Sequence, residues 1–182
     1  SKSDFLFFMP SYQNLLFSPK INDNKKMIIK NAKKESNFWK KVWNQTDKTI
    51  IQTTFDHPFF SPLGFDVPVK YGGLYHYVRL VNSLLIDSAP SNVNLIDVES
   101  LLINNKDSSW KDSRMYYLAK QPFNMETIPA LAKSISGRIE GSLGLTKKVI
   151  VTDLDNTLWG GVLGDDGPNG IICDNNTLEG EA

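Results

Sequence analysis

The sequence predicts an α/β fold, a parallel β-sheet covered by helices on both faces. Two observations predict it. Short apolar runs rich in β-branched and aromatic residues are continuous rather than alternating, as strands buried on both faces are. Between them lie longer segments whose apolar residues recur at helical spacing, so the order reads strand, helix, strand, helix.

The first strand is "FLFFM", Phe5 to Met9, closed by Pro10. From about Lys25 to Gln45, Ile28, Ile29, Ala32, Trp39, Val42 and Trp43 fall on one helical face. "TIIQTTF", Thr49 to Phe55, is the next strand. It runs into "DHPFFSPLGFDVPVKYGG", Asp56 to Gly73, whose three prolines and three glycines predict an irregular loop. Long loops after strand C-termini are where α/β folds place binding residues. Leu74, Tyr77, Val78, Val81 and Leu85 mark a helix over Leu74 to Asp87, and "VNLID", Val93 to Asp97, a third strand. "NNKDSSWKDSR", Asn104 to Arg114, reads as a second polar excursion. Ile128, Leu131, Ala132, Ile135, Ile139 and Leu143 predict a helix over Glu126 to Leu143. "GSLGLTKK", Gly141 to Lys148, is then the expected domain boundary: helix end, glycines, basic turn. "KVIVTD", Lys148 to Asp153, reads as the first strand of a second unit.

Composition narrows the functional classes. The chain has 182 residues, 41% apolar and 22% charged, which is ordinary globular material. Twenty basic residues balance twenty acidic ones, which argues against nonspecific binding to nucleic acid or an anionic membrane. The run Phe5 to Met9 is too short to span a bilayer and lacks the features of a signal peptide. A single cysteine, Cys173, rules out an intramolecular disulfide and suits a reducing compartment, so a cytoplasmic location is expected.

Asp153 and Asp155 stand one residue apart at the end of the last expected strand, where two like charges repel unless a cation or a reaction uses them. One carboxylate can attack a phosphoryl group, and a second two positions on can protonate the leaving oxygen and later activate water. Mg²⁺ suits such a pair, because it prefers oxygen and takes few protein carboxylates together with phosphate and waters. Thr157 adds a hydroxyl that can orient the nucleophile or the phosphoryl oxygens.

The apolar strand followed by Asp153-Leu154-Asp155-Asn156-Thr157 resembles the first D-x-D-x-T motif of the haloacid dehalogenase (HAD) superfamily of phosphotransferases. The longer string "DLDNTLWGGVLGDDG", with Gly170-Ile171 and "EGEA" at Glu179 to Ala182, is similar to its FkbH-like branch. Members of that branch carry a degenerate SGNH-hydrolase-like domain ahead of the HAD domain. "RMYYLAKQPF" (Arg114 to Phe123), "IPALAKSI" (Ile128 to Ile135) and "TTFDHP" through "PLG" (Thr53 to Gly64) resemble that domain.

The resemblance implies that residues 1–145 form an SGNH- or flavodoxin-like domain lacking its first strand. Residues 146–182 would then hold the first strand and flap of a Rossmann-like HAD domain. It further implies Asp153 as nucleophile and Mg²⁺ ligand, and Asp155 as general acid/base that also serves the metal through its backbone. Thr157 would position the phosphoryl group, and Trp159, Gly160 and Gly161 would begin a mobile flap. The implied substrate is a phosphorylated three-carbon acid, and the implied partner an acyl carrier protein that receives the glyceryl group in polyketide or surface-polysaccharide synthesis. The superfamily's later motifs are expected beyond Ala182, so this chain alone is expected to show little activity. Pro168 and Asp174 stand where the pattern expects other residues.

The remaining candidates have plainer readings. Asp165 and Asp166 in "GDDG" are expected to form a turn, and Cys173 in "GIIC" to be buried filler. His57 is expected to pack or hydrogen bond in its loop, and His76 to lie at a surface or interface. The D-x-x-H site of SGNH hydrolases reads Asp112-Ser113-Arg114-Met115 here, so the histidine is missing and esterase chemistry is not expected. Trp39, Trp43 and Trp110 are expected in cores, and the lysines of Asn22 to Lys34 on a solvated face that could also meet an acidic carrier.

Overall fold

The computed structural model describes residues 4–58, 68–104 and 110–173, with backbone alone for 102–104. Residues 1–144 and 145–182 cluster as two separate compact units.

In the first unit, β1 (Phe5–Phe8), β2 (Thr49–Thr53) and β3 (Val93–Ile96) form a parallel sheet in the order β1-β2-β3. Phe5 pairs with Thr49 and Ile50 with Val93. The crossovers are α1 (Lys25–Trp43) and α2 (Leu74–Ser88). Two successive crossovers that advance in one direction with one hand must place both helices on the same face, and α1 and α2 do pack together. Ile28, Ala32 and Trp43 of α1 meet Tyr77, Val78, Val81 and Leu85 of α2 over Ile50 and Val93. Ile29, Trp39 and Val42, expected on the same stripe, are half-buried.

Polar groups lock this layer. Asn24 caps α1 by accepting the Met27 amide at 2.9 Å, and the Trp43 indole donates to Gln52 Oε1 at 2.8 Å in the interior. Glu35 breaks the lysine-rich face of α1: it is buried and accepts the Leu16 amide at 2.8 Å, and burial raises its carboxyl pKa. Ahead of α2, a Cβ at Gly72 would overlap the carbonyls of Lys20 and Ile21, so only glycine fits there.

The other face is covered by α5 (Ile128–Ser142), whose Leu131 packs with Val98 and Trp110, joined by Phe123 and Ile135. Two short helices, α3 (Val98–Asn104) and α4 (Ser113–Ala119), fall where the sequence showed no clear helical period. α4 starts inside the expected polar excursion because Asp112 caps it, accepting the Met115 amide at 3.1 Å, while Trp110 is buried just before it. Residues 105–109 of that excursion and 59–67 of the proline-rich loop lie outside the described residues. No helix among the described residues is long and apolar enough to cross a membrane.

The second unit corrects one expectation. Lys148–Asp153 is not a strand here: it pairs with nothing among the described residues, and Val149, Ile150 and Val151 are 76%, 86% and 93% exposed. A strand exists only through its ladder, and a lone apolar run has no neighbour to satisfy its backbone or cover its side chains. Cys173 is likewise exposed rather than buried: the Gly160–Ile172 bridge beside it is isolated, and among the described residues no strand or helix closes over it. Asp174 and the "EGEA" end lie outside the described residues.

Candidate functional site

The loop that follows Lys148–Asp153 is tied by its own polar atoms. The Leu154 carbonyl accepts the amides of Thr157 and Leu158 at 3.2 and 2.9 Å, closing one tight turn. Asn156 adopts φ 54° and Gly161 φ 104°, and the Asn156 amide donates to the Gly161 carbonyl at 3.2 Å. The Asn156 side chain accepts the Gly161 amide at 3.0 Å. Asparagine and glycine are the residues that tolerate the left-handed region, so "DNTLWGG" can close on itself. Gly160 then exchanges two backbone bonds with Ile172, at 2.9 and 2.8 Å.

Asp155 is the hub. Its Oδ1 accepts the Trp159 indole N–H and the Leu163 amide, each at 3.1 Å. One oxygen is thereby held, and Oδ2 has no hydrogen bond among the described residues. Asp166, in the short helix α6 (Leu163–Asp166), accepts the Val162 amide at 2.8 Å, a turn-forming role.

Asp155 is thus joined to Trp159, and Gly161 to the neighbouring Asn156, whereas Asp153 is exposed and among the described residues accepts only the adjacent Leu154 amide, at 2.8 Å. The Thr157 hydroxyl reaches the Asp155 carbonyl at 3.5 Å. Among the described residues no three His, Cys, Asp or Glu side chains converge as a metal cage.

A second polar cluster occupies the carboxyl ends of β2 and β3, and sequence reasoning missed most of it. The Asn82 side chain clamps Phe55, accepting its amide at 2.9 Å and donating to its carbonyl at 2.8 Å. That clamp fixes the two residues that follow. Asp56 pairs with Lys111 at 3.0 Å, with both side chains almost wholly buried, and also accepts the Tyr12 amide at 2.8 Å. Lys111 Nζ sits 4.0 Å above the Tyr12 ring. Burial lowers the Lys111 pKa and the Asp56 charge opposes that shift.

His57 stacks on Tyr75 with centroids 4.1 Å apart, and its Nε2 lies 3.3 Å from Glu99 Oε1. The same oxygen accepts Tyr75 Oη and an Arg79 nitrogen, each at 3.2 Å. His57 Nδ1 is buried without a hydrogen bond. Burial holds the imidazole below its ordinary 6.5, against the pull of Glu99. Burial pushes Glu99 up, but His57, Arg79 and Tyr75 together hold it below the usual carboxylate value. His76 meets Tyr71 edge-on at 4.9 Å. The signal that could have found this cluster is placement: "DH" directly follows the second strand and "DVE" the third.

A pH dependence follows. The unfolded chain takes up a proton on His57 before the folded one does, so stability is full above about pH 6.5 and falls as pH drops below it. Glu99, depressed in the fold, adds loss in the same direction at lower pH. Thermal unfolding should show a midpoint that declines from pH 7 to 5, and His57→Gln should flatten that slope. An unchanged slope in the variant would exclude His57 as its source.

Among solved structures, the chain is similar to the crystal structure of the N-terminal part of protein BF1531 from Bacteroides fragilis, which contains a phosphatase domain and is complexed with Mg. The TM-score is 0.75 at 21% identity, over 98% of this chain and 48% of that one. At that identity the likeness establishes the α/β fold, and the chain spans about half the length of that structure. No family model and no curated protein matches the chain.

Proposed function

We propose that the chain carries the nucleophile and acid/base of a Mg²⁺-dependent HAD-type phosphotransferase or phosphatase that acts on a small phosphorylated metabolite. The supporting observation is the Asp155 hub: a D-x-D-x-T carboxylate held at one oxygen by the Trp159 indole and the Leu163 amide, with its other oxygen left to exchange a proton. The likeness to a phosphatase-containing structure crystallised with Mg supports the same reading.

In this reading Asp153 attacks phosphorus and the ester oxygen departs with a proton from Asp155. Asp155 then takes a proton from the water that hydrolyses the aspartyl phosphate. Thr157 orients the phosphoryl oxygens, and Trp159, Gly160 and Gly161 form the flap that limits water entry.

The donor set fits Mg²⁺ in kind: hard oxygens from Asp153 and the Asp155 carbonyl, and few carboxylates. When bound, the ion would screen the two anions as they approach. The remaining groups would come from sequence outside this chain.

The finer reading adds transfer of a glyceryl group to an acyl carrier protein, for polyketide or surface-polysaccharide synthesis in the cytoplasm. Residues 1–145 would then be a degenerate SGNH-like domain and 146–182 the start of the HAD domain. A plain small-molecule phosphatase is the alternative for the chemistry. For the first unit the alternative is a non-catalytic module that recruits the carrier protein, favoured by His57 Nε2 being already engaged by Glu99.

Phosphate release from p-nitrophenyl phosphate and from small alkyl phosphates tests the core proposal, in a protein that extends past Ala182 and in this chain alone. Turnover that needs Mg²⁺, is blocked by vanadate and is confined to the longer protein is expected. Turnover indifferent to both would overturn the proposal. Trapping a glyceryl thioester on the carrier would separate acyl transfer from simple hydrolysis.

A further inference from the structure

A cavity of about 670 Å³ lies within the first unit, apart from the Asp153–Gly161 loop and from the ion pairs of Asp56 and His57. Leu95 and Ile96 both line it. Neighbouring strand residues point to opposite faces, so a cavity bordered by both runs along the outer edge of β3. Ile86 of α2 bounds it on one side and Lys133, Ser134, Gly137 and Arg138 of α5 on the other. Its volume is that of a small-molecule site, a few hundred to a thousand cubic ångströms.

Its polar lining carries charges of both signs. Asp97 is saturated: it accepts Thr54 Oγ1 at 3.1 Å, the Ser100 amide at 3.1 Å and Ser100 Oγ at 2.7 Å, with the Glu99 amide as a fourth donor. Four donors fill a carboxylate's lone-pair sites, so Asp97 presents a fixed negative charge with no acceptor capacity to spare. On the α5 side Lys133 and Arg138 are exposed, and neither has an ion-pair partner among the described residues. Ile86, Leu95 and Leu101 add an apolar wall. Gly137 stands in the middle of the α5 side, where an added Cβ would meet nothing within 4 Å. Alanine would favour the helix there, so packing does not account for the glycine, and its absent side chain leaves more of the cavity open.

We propose that this cavity binds a small amphipathic monocarboxylate whose head pairs with Lys133 and Arg138 while its uncharged body lies on Ile86, Leu95 and Leu101. Asp97 supplies the selectivity: a molecule with a second negative charge would meet a carboxylate that has no proton to offer. An uncharged molecule of the same length would fill the apolar wall and leave both cations unused.

The test is a two-dimensional amide NMR titration of the whole 182-residue chain with octanoate, suberate and 1-octanol. Octanoate should shift the amides of Leu95, Asp97, Ser134 and Gly137 saturably, and suberate and octanol should each bind about tenfold more weakly. The double variant Lys133→Gln/Arg138→Gln alters exposed side chains and should leave the spectrum dispersed while weakening octanoate about tenfold. Asp97→Asn should narrow the gap between octanoate and suberate. The proposal is overturned if octanoate at millimolar concentration moves none of these amides, if suberate binds as well as octanoate, or if the double variant binds like the parent. Because the cavity shares no residue with the Asp153–Gly161 loop, phosphatase activity and octanoate binding can fail independently.

Discussion

Asp153→Asn should abolish phosphate release in a protein that extends past Ala182, by about 10⁴-fold or more, the loss seen when a nucleophile is removed from a covalent mechanism. Asparagine keeps the shape and removes the attacking oxyanion. Asp153 is exposed, and its one recorded bond, from the Leu154 amide, can be accepted by the asparagine carbonyl as well. The unfolding midpoint should therefore barely move, which separates lost chemistry from lost fold.

Asp155→Asn should behave differently. Its Oδ1 bonds to the Trp159 indole and the Leu163 amide can survive in asparagine, so the loop should stay closed while proton delivery is lost. The defect should be severe for alkyl phosphates and mild for p-nitrophenyl phosphate, whose leaving group departs without a proton. Retention of a tenth or more of the parent rate by Asp153→Asn, or an Asp155→Asn defect blind to the leaving group, would remove these residues from the proposed roles.

Lys111→Met should destabilise the first unit by about 3–5 kcal/mol, because it leaves the buried Asp56 carboxylate without its cation. For a chain of this size that is a fall in unfolding midpoint of about 10 °C. Methionine fills much of the lysine volume, so the loss reports charge more than cavity. Adding Asp56→Asn should recover part of the stability, since the orphaned charge is then gone while the Tyr12 amide keeps an acceptor. A deficit below about 1 kcal/mol would mean that the pair is not held out of water as its geometry implies.

The first unit was legible wherever a segment's own pattern decides its state. Phe5–Phe8, Thr49–Thr53 and Val93–Ile96 are strands within two residues of their expected ends. The helix expected at Leu74 to Asp87 ends one residue later, at Ser88. A long amphipathic stripe or a continuous β-branched run carries enough local signal to be read alone. α3 and α4 were not legible, because a seven-residue helix has little intrinsic stability and depends on its cap and on what it packs against. Glu35 was hidden too: among seven lysines of α1 it reads as a surface residue, and only the Leu16 amide reaching it from another segment shows otherwise.

Of the candidate site, Asp153 and Asp155 with Thr157 could be named from spacing, and Trp159, Gly160 and Gly161 from the resemblance alone. The hydrogen bonds that make Asp155 rather than Asp153 the centre of the loop could not. The strand-end cluster was readable only as a location.

By itself, then, the sequence determined the alternation of strand and helix, the parallel character of the sheet and the spacing of the carboxylate pair on which the proposed phosphoryl chemistry rests. All three depend on residues close together in the chain. Tertiary structure alone decided that Asp56 finds Lys111, that His57 finds Glu99, and that Val149, Ile150 and Val151 have no ladder to join. Charges buried in pairs and strands joined in sheets are contacts between distant segments, and no local pattern names the partner.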